Sequence, residues 1–193
     1  LMKKELQKRL ISSIVLIPIS FLFIFQGSIF FIFFLSLLFV ITSYEWVKMS
    51  KSKLFLKYFG ITFLFFSFYS AYYIRESTGL HFFLFLILIC ISTDIGGFIF
   101  GKVFKGPKLT KISPNKTFSG SIGSFLLSLA VGFVFLKYTR IEFLGNDYLK
   151  IIFSIFLVSL ISQLGDLIIS YYKRKAKLKN TGNILPGHGG LLD

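Results

Sequence analysis

The sequence is poor in charged residues and in cysteine. Charged residues make up 16% of its 193 residues, whereas a soluble domain averages about 25%. The single cysteine, Cys90, excludes an intrachain disulfide and any cysteine-based zinc site. Hydrophobic residues instead make up 54% of the chain, which contains 27 phenylalanines. A soluble domain of this length has too little interior to bury so much apolar surface, so the composition indicates a membrane protein.

Six apolar segments predict the fold. They cover residues 10–25, 28–44, 54–74, 80–100, 119–136 and 149–170. Most have the roughly 17–25 residues that a helix needs to cross the hydrocarbon, and the first is shorter and contains Pro18. Spanning segments satisfy their backbone polar groups as helices, and unbroken runs such as residues 30–35 lack the alternation of a β-barrel strand. We therefore predict an all-α, polytopic transmembrane helical bundle with about six spanning helices.

The first apolar segment also has the basic flank of a signal peptide. It lacks a convincing small-residue cleavage site before Gln26, so we interpret it as a retained helix.

The basic residues are unevenly placed along the chain. The formal net charge is +14, from 22 Lys and Arg against 8 Asp and Glu. Of the 22, 18 lie in the N-terminal tail and in residues 48–57, 102–116 and 173–179. With six helices between them, all four clusters fall on one side of the membrane, which the positive-inside rule assigns to the cytoplasm. The sequence thus predicts that both ends are cytoplasmic, and it explains the charge without a nucleic-acid partner.

Two carboxylates lie near the cytoplasmic ends of apolar segments. Asp94 is in the fourth segment and Asp166 is in the sixth. A charge within a membrane helix costs roughly 2.5–3.5 kcal/mol on insertion scales, so it usually faces a partner or a polar cavity. A helix-packing hydrogen bond or an end charge that reaches the interface is the plainer explanation for each.

The residues after Asp166 share its helix face. Ser170 lies four residues on, and Lys173 and Arg174 lie three and four residues beyond that. A carboxylate, a hydroxyl and a basic pair suit a Mg²⁺–polyphosphate site, because Mg²⁺ prefers one or two carboxylates plus phosphate oxygens. A positive-inside cluster with an incidental carboxylate would give the same spacing.

Two loops add groups that can bind phosphate. The glycine-rich segment 183–193 surrounds a histidine with glycines that allow close backbone approach, and it ends in a second carboxylate. The loop 102–118 contributes hydroxyl, amide and ammonium groups in a turn-forming setting. The sequence contains no P-loop pattern, which excludes a Walker-type NTPase. The candidate residues of these loops are Gly187, His188, Gly189, Gly190 and Asp193, and Ser113, Asn115, Lys116 and Thr117.

These motifs together resemble the phosphatidate cytidylyltransferase (CDP-diacylglycerol synthase) family. The matching stretches are Asp94 with Phe100-Gly101-Lys102, Ser113-Pro114-Asn115-Lys116-Thr117, Gly165-Asp166, Ser170-Tyr171-Tyr172-Lys173-Arg174, Lys179-Asn180, and Pro186-Gly187-His188-Gly189-Gly190-Leu191-Leu192-Asp193. By motif the resemblance covers residues 90–193. The chain has Asn180 where the family usually has Asp, and Phe118-Ser119-Gly120 where it usually has Trp-Glu-Gly. The family's further Arg-x-Asp is expected after Asp193, so we expect this chain to be a fragment of a longer protein and to be inactive by itself.

The resemblance implies an activity and a site. The reaction would be CTP + phosphatidate → CDP-diacylglycerol + pyrophosphate, at the cytoplasmic face of a bacterial inner membrane, in a possible homodimer. It implies N-terminal transmembrane helices in residues 1–78 and an incomplete catalytic region in residues 79–193. The implied catalytic residues are Asp166, Asp193, Lys173, Arg174 and His188. The implied substrate-binding residues are Ser113, Asn115, Lys116, Thr117, Ser170, Gly187, Gly189 and Gly190. Divalent Mg²⁺ would be bound by Asp166, Asp193 and Asp94.

Three other functions fit parts of the pattern. One is another CTP-dependent lipid or prenol phosphotransferase, such as a polyprenol kinase-like or archaeal-type enzyme. A second is a small transporter or channel with Asp94 and Asp166 on a cation path, but such a path needs carboxylates distributed across the bilayer. A third is a non-catalytic membrane scaffold. The grouping of polar chemistry at one face favours an enzyme.

Overall fold

The computed structural model has six α-helices within the residues that it describes. It describes residues 2–51, 53–110, 112–139, 147–187 and 189–193, with only the backbone described for residues 2–6, 8 and 9. The helices are α1 (Met2–Gln26), α2 (Ser28–Ser50), α3 (Leu54–Ser77), α4 (Leu80–Phe104), α5 (Phe118–Tyr138) and α6 (Tyr148–Lys175). Each contains one of the six predicted apolar segments, so the predicted all-α fold is confirmed.

Five of these helices, α2 to α6, are long and apolar enough to cross a membrane. The apolar part of α1, Leu10–Gln26, is shorter than the others. Many large apolar side chains are exposed along the helices, including Phe33 at 62% and Phe63 at 62%. Water would not tolerate such a surface, whereas lipid does, which agrees with a polytopic membrane protein. The cytoplasmic location of both ends stays a prediction.

The chain divides into two compact units. The first contains Leu1–Leu80 and Tyr172–Asp193, and the second contains His81–Tyr171. The final segment therefore groups with the N-terminal helices, which differs from the ranges 1–78 and 79–193 expected from the sequence. That expected division into domains stays a prediction.

In the first unit, α2 and α3 form an antiparallel pair. Near one end, the Trp46 indole packs on Gly60, and its Nε1 donates a hydrogen bond to the Leu56 carbonyl at 2.9 Å. Further along, the Phe39 ring meets the rings of Phe65 and Phe68 edge-on. Because any side chain at residue 60 would overlap the indole, glycine is required at this crossing.

In the second unit, the apolar core lies between α4 and α6. Phe85, Ile89, Ile151 and Ile155 are almost fully buried in it. Toward the loop that precedes α5, the packing becomes polar. Thr93 Oγ1 donates to Ser159 Oγ at 2.9 Å, and the Thr93 carbonyl accepts from Ser124 Oγ at 2.7 Å. These buried hydroxyls lead from the core to a polar pocket in the same unit.

Candidate active site

The pocket of the second unit is formed in part by the loop between α4 and α5. Two backbone hydrogen bonds close the loop, from Leu109 N to the Lys116 carbonyl at 2.8 Å and from Phe118 N to the Pro107 carbonyl at 3.1 Å. A tight turn from Ser113 to Lys116 lies within it. The loop therefore has a defined shape, and it presents its polar side chains from a fixed backbone.

Thr117 begins α5 as its N-cap. Its Oγ1 accepts a hydrogen bond from Gly120 N at 3.1 Å, and its backbone is extended, as is usual for a cap. Ser119 Oγ donates to the Lys105 carbonyl, which ties the start of α5 to the end of the α4 segment. The substrate-binding role predicted for Thr117 stays a prediction, and the structure adds a structural role for the same hydroxyl.

The pocket is about 290 Å³, near the small end of the range for ligand sites. Its lining includes both membrane-depth carboxylates and all four of the predicted phosphate-binding residues of the loop. Its lining comprises Thr93, Asp94, Gly97, Phe98, Leu109, Ser113, Asn115, Lys116, Thr117, Gly120, Ser121, Ser124, Gln163 and Asp166. Four elements separated in sequence thus bring together the predicted site residues of this unit other than Ser170.

Lys116 and Asp166 make direct contact in this pocket. Lys116 Nζ lies 2.8 Å from Asp166 Oδ2, with side-chain exposures of 30% and 50%. A pair this exposed adds little to stability, because solvent screens it and both side chains lose freedom. Its significance is chemical: a cation and a carboxylate lie side by side at the mouth of a polar pocket, within reach of an incoming ligand.

Gln163 is a pocket residue that the motif pattern did not indicate. Its Oε1 accepts a hydrogen bond from Ser121 Oγ at 2.6 Å, which holds the amide in place. Within the described part of the chain, its buried Nε2 has no hydrogen-bond partner. Asp166 lies three residues further along the same helix, so spacing on α6 was the only signal that could have indicated Gln163.

The donor set limits which metal this pocket can hold. Among the described residues there is no group of three or more His, Cys, Asp and Glu side chains that could hold an ion. The two carboxylates, Asp94 and Asp166, fit Mg²⁺ only where phosphate oxygens and water complete the coordination, as is usual when Mg²⁺ binds with a nucleotide. The predicted metal-binding roles stay predictions.

The predicted residues of the first unit lie at the end of α6 and on the segment that follows it. The helix ends in a Schellman motif: Leu178 N donates to the Lys173 carbonyl at 2.9 Å and Lys177 N donates to the Arg174 carbonyl at 3.0 Å. Lys177 occupies the left-handed position with a φ of 59°. This motif turns the chain sharply out of the helix and into the glycine-rich segment.

Asp193 is held by four donors in this unit. Its Oδ1 accepts from Lys173 Nζ at 2.8 Å, and its Oδ2 accepts from Gly190 N and Thr181 N at 2.8 Å each and from Thr181 Oγ1 at 3.2 Å. Burial alone would raise the pKa of Asp193, but the hydrogen bonds from Lys173, Gly190 and Thr181 outweigh it and lower the pKa below its usual value. Asp193 is therefore a carboxylate with most of its acceptor capacity in use.

The glycines of this segment have specific structural requirements. Gly187 and Gly189 have φ values of 81° and 108°, which side chains other than glycine rarely adopt. A Cβ at Gly190 would lie less than 3.0 Å from both Thr181 and Glu45. The backbone pair Leu185 and Gly189 closes the turn through two hydrogen bonds of 2.9 and 3.0 Å.

Three predicted residues are less constrained. His188 lies outside the described residues. Arg174 is exposed, and Ser170 is half-buried but does not line the pocket of the second unit. The predicted roles of all three stay predictions.

Comparison with known proteins relates this chain to cytidylyltransferases. A model of the Cytidylyltransferase family matches residues 54–193. Phosphatidate cytidylyltransferases of Staphylococcus haemolyticus (strain JCSC1435) and Staphylococcus aureus (strain COL) are each 43% identical over 137 residues. That of Staphylococcus saprophyticus is 42% identical over the same length.

Each of these alignments covers 70% of this chain and 49% of the relative, so the chain spans about half the length of the curated relatives it matches. No solved structure matches it. The family model covers more than half of the chain, and its range includes the pocket of the second unit and the glycine-rich segment of the first. The chain belongs to the cytidylyltransferase family.

Proposed function

We propose that the protein transfers a cytidylyl group from CTP to phosphatidate, which yields CDP-diacylglycerol and pyrophosphate. The observation that carries this proposal is the polar pocket at the ends of apolar helices, in which Lys116 and Asp166 are paired beside Asp94. The names of the similar proteins give the substrate class, and the pocket supplies the groups that such a reaction needs.

The reaction needs charge and position more than covalent help from the protein. An oxygen of the lipid phosphate attacks the α-phosphorus of CTP, a P–O bond forms, and the bond to the β-phosphate breaks as pyrophosphate leaves. The attacking phosphate is already an anion, so no general base is required. Phosphoryl-type transfer depends chiefly on orientation and on neutralising charge. Lys116 would bind a phosphate oxygen, and the amide of Gln163 would donate a further hydrogen bond.

Magnesium is part of this proposal. Asp94 and Asp166 would bind the ion together with phosphate oxygens, and Lys116, which contacts Asp166, offsets part of their charge. A bound Mg²⁺ would supply positive charge against the pyrophosphate leaving group. The proposal also includes a bacterial inner-membrane location with the pocket facing the cytoplasm, and a homodimer.

The decisive experiment is Asp166→Asn in the intact protein, purified in detergent and assayed with CTP, phosphatidate and Mg²⁺. The amide keeps the size of the side chain but removes its charge, so we expect the turnover to fall by about a hundredfold or more. The matched control is Asp147→Asn. Asp147 Oδ1 accepts from Leu149 N at 3.0 Å at the start of α6, and Asn serves as well in that position.

We expect Asp147→Asn to keep wild-type turnover. Near wild-type turnover by Asp166→Asn would remove this carboxylate from the site. Product analysis tests the reaction class, because nucleotidyl transfer releases pyrophosphate whereas a CTP-dependent kinase releases CDP.

A further inference from the structure

Glu45 is a fully buried acidic residue in the first unit, and the motif pattern gave it no role. It lies near the end of α2 with 0% of its surface exposed. Its Oε1 accepts a hydrogen bond from Leu191 N at 2.9 Å, and its Oε2 accepts from Leu192 N at 3.0 Å and from Thr181 Oγ1 at 2.8 Å. All of these donors belong to the glycine-rich segment and its approach, more than 130 positions away in sequence.

These contacts form a network around one hydroxyl. Thr181 Oγ1 contacts Glu45 Oε2 at 2.8 Å and Asp193 Oδ2 at 3.2 Å, and Asp193 also bonds Lys173. A Cβ added at Gly190 would overlap both Thr181 and Glu45. The Glu45 carboxyl group thus occupies the inside of the turn that ends at Asp193, where it replaces the water that these backbone N–H groups would otherwise need.

Both carboxylate oxygens are used, so the chemistry of the side chain is specific. A carboxylate only accepts hydrogen bonds, whereas the amide of Gln has one acceptor oxygen and one donor nitrogen. In Glu45→Gln, an amide nitrogen would replace one of the two carboxylate oxygens. Its N–H would then face the backbone N–H of Leu191 or Leu192 inside a buried site. A buried donor left unpaired is costly, so the turn would open or shift.

We propose that Glu45 is a positioning residue that holds the glycine-rich segment in its binding conformation through Thr181, Leu191 and Leu192. Glu45 lies before the part of the chain that the family model matches, residues 54–193. It therefore links an N-terminal membrane helix to the segment that identifies the family. Its effect on substrate rests on the proposed function and on the substrate-binding role that the family resemblance implies for Gly187, Gly189 and Gly190.

The first test is hydrogen–deuterium exchange of the intact protein in detergent without substrates. We expect Glu45→Gln to increase the exchange rate of the peptide that covers residues 187–193 by about tenfold, because one of its amides loses its acceptor and the turn opens. The control is Glu76→Gln, the same substitution on α3, where the carboxyl group is partly exposed and contacts Arg75. Exchange of residues 187–193 in Glu45→Gln that equals the control would overturn the proposal.

The second test uses Thr181 and leaves Glu45 intact, so it remains informative if Glu45→Gln fails to fold. Thr181→Val keeps the shape but removes the hydroxyl, and Thr181→Ser retains it. We expect Thr181→Val to raise the KM for CTP by about tenfold while the KM for phosphatidate stays unchanged, and Thr181→Ser to restore the wild-type value. A purely structural role would lower the yield of active enzyme and leave both KM values unchanged.

The proposed function and the positioning role of Glu45 can be disproved independently of each other. If the wild-type protein makes no CDP-diacylglycerol, the proposed function is wrong, while the exchange experiment still decides whether Glu45 holds the segment. If turnover is normal and Thr181→Val matches Thr181→Ser in every kinetic constant, the positioning role is wrong and the proposed function stands.

Discussion

Asp193 shows how a single carboxylate couples the glycine-rich segment to pH. Its folded-state pKa is lowered because the bonds from Lys173, Gly190 and Thr181 outweigh the effect of burial. A lowered pKa means that the stabilisation is fully present above the unfolded value, about 3.9 for Asp, and is lost as the pH falls through the folded value. The contribution of Asp193 to stability therefore disappears in acid.

Asp193→Asn should consequently be less stable than the wild-type protein at pH 6. The difference should begin to shrink as the pH falls below about 3.9 and should vanish once the pH is below the folded-state pKa of Asp193. Thermal unfolding in an acid-tolerant detergent tests this prediction. EDTA is present so that the measured change in stability reflects protonation and not metal binding. The control is Asp147→Asn, whose carboxylate is about half exposed and lies 3.9 Å from the Lys150 ammonium group. A stability difference for Asp193→Asn that is the same at pH 3.5 and pH 6 would contradict the assignment.

For individual residues, the sequence predicted some members of the two clusters of polar side chains and missed others. Asp166 was expected at the site because a charge at membrane depth is costly, and Lys116 because its loop has groups that can bind phosphate. The two side chains prove to be in contact. Their pairing could not be predicted, because it depends on the turn that sets the direction of the 105–117 loop. Glu45 was missed because a lone acidic residue near the end of an apolar helix resembles an ordinary interfacial charge. Its three donors come from residues 181–192, and no periodicity connects those to α2.

Among the elements, the approach of α4 to α5 shapes the pocket. A Cβ at Gly120 would lie 2.7 Å from the Gly97 carbonyl oxygen, and one at Gly96 would lie 2.5 Å from the Gly123 carbonyl oxygen. Both carbonyl oxygens belong to the backbone, so they cannot move away by a change of side-chain rotamer. The two helices are therefore in near-backbone contact, as small residues permit in membrane proteins.

Gly120→Ala should force α4 and α5 apart and destabilise the protein by about 1–3 kcal/mol. Thermal unfolding in detergent measures this, and the midpoint should fall. Gly165→Ala is the matched control, because no heavy atom lies within 4 Å of the added Cβ on α6. The control midpoint should stay unchanged or rise slightly, since Ala favours helix over Gly. Equal midpoints for the two variants would show that the α4–α5 contact is looser than described.

Helix positions were predictable because hydropathy alone determines which segments enter lipid. The predicted segment 54–74 lies within α3 (Leu54–Ser77), and 119–136 lies within α5 (Phe118–Tyr138). The predicted segments end before their helices do, because polar residues continue several helices past the apolar run. The Schellman motif after α6 was not predictable, since Lys177 occupies a position that usually calls for Gly.

Across the whole molecule, the distribution of basic residues would affect both the orientation of the chain in the membrane and the attraction of an anionic lipid substrate. The clusters in residues 48–57, 102–116 and 173–179 lie at or beside the ends of helices. On the cytoplasmic side they would meet the anionic surface of the inner leaflet, where each basic residue contributes about 1 kcal/mol of attraction. Phosphatidate is itself an anionic lipid, so the same charges would raise its concentration near the pocket.

This topology can be tested because the chain has only one native cysteine. In a Cys90→Ser background, single cysteines replace Lys53, Lys108 or Lys150, all at exposed positions in a loop or in the first turn of a helix. Intact cells whose outer envelope is permeabilised are treated with a membrane-impermeant maleimide. The positive-inside rule predicts that only Lys150→Cys reacts while the inner membrane is intact. Lys53→Cys and Lys108→Cys should react once the inner membrane is disrupted. Labelling of Lys108→Cys in intact cells would place the 105–117 loop, and with it the pocket, on the outer side, where CTP is not supplied.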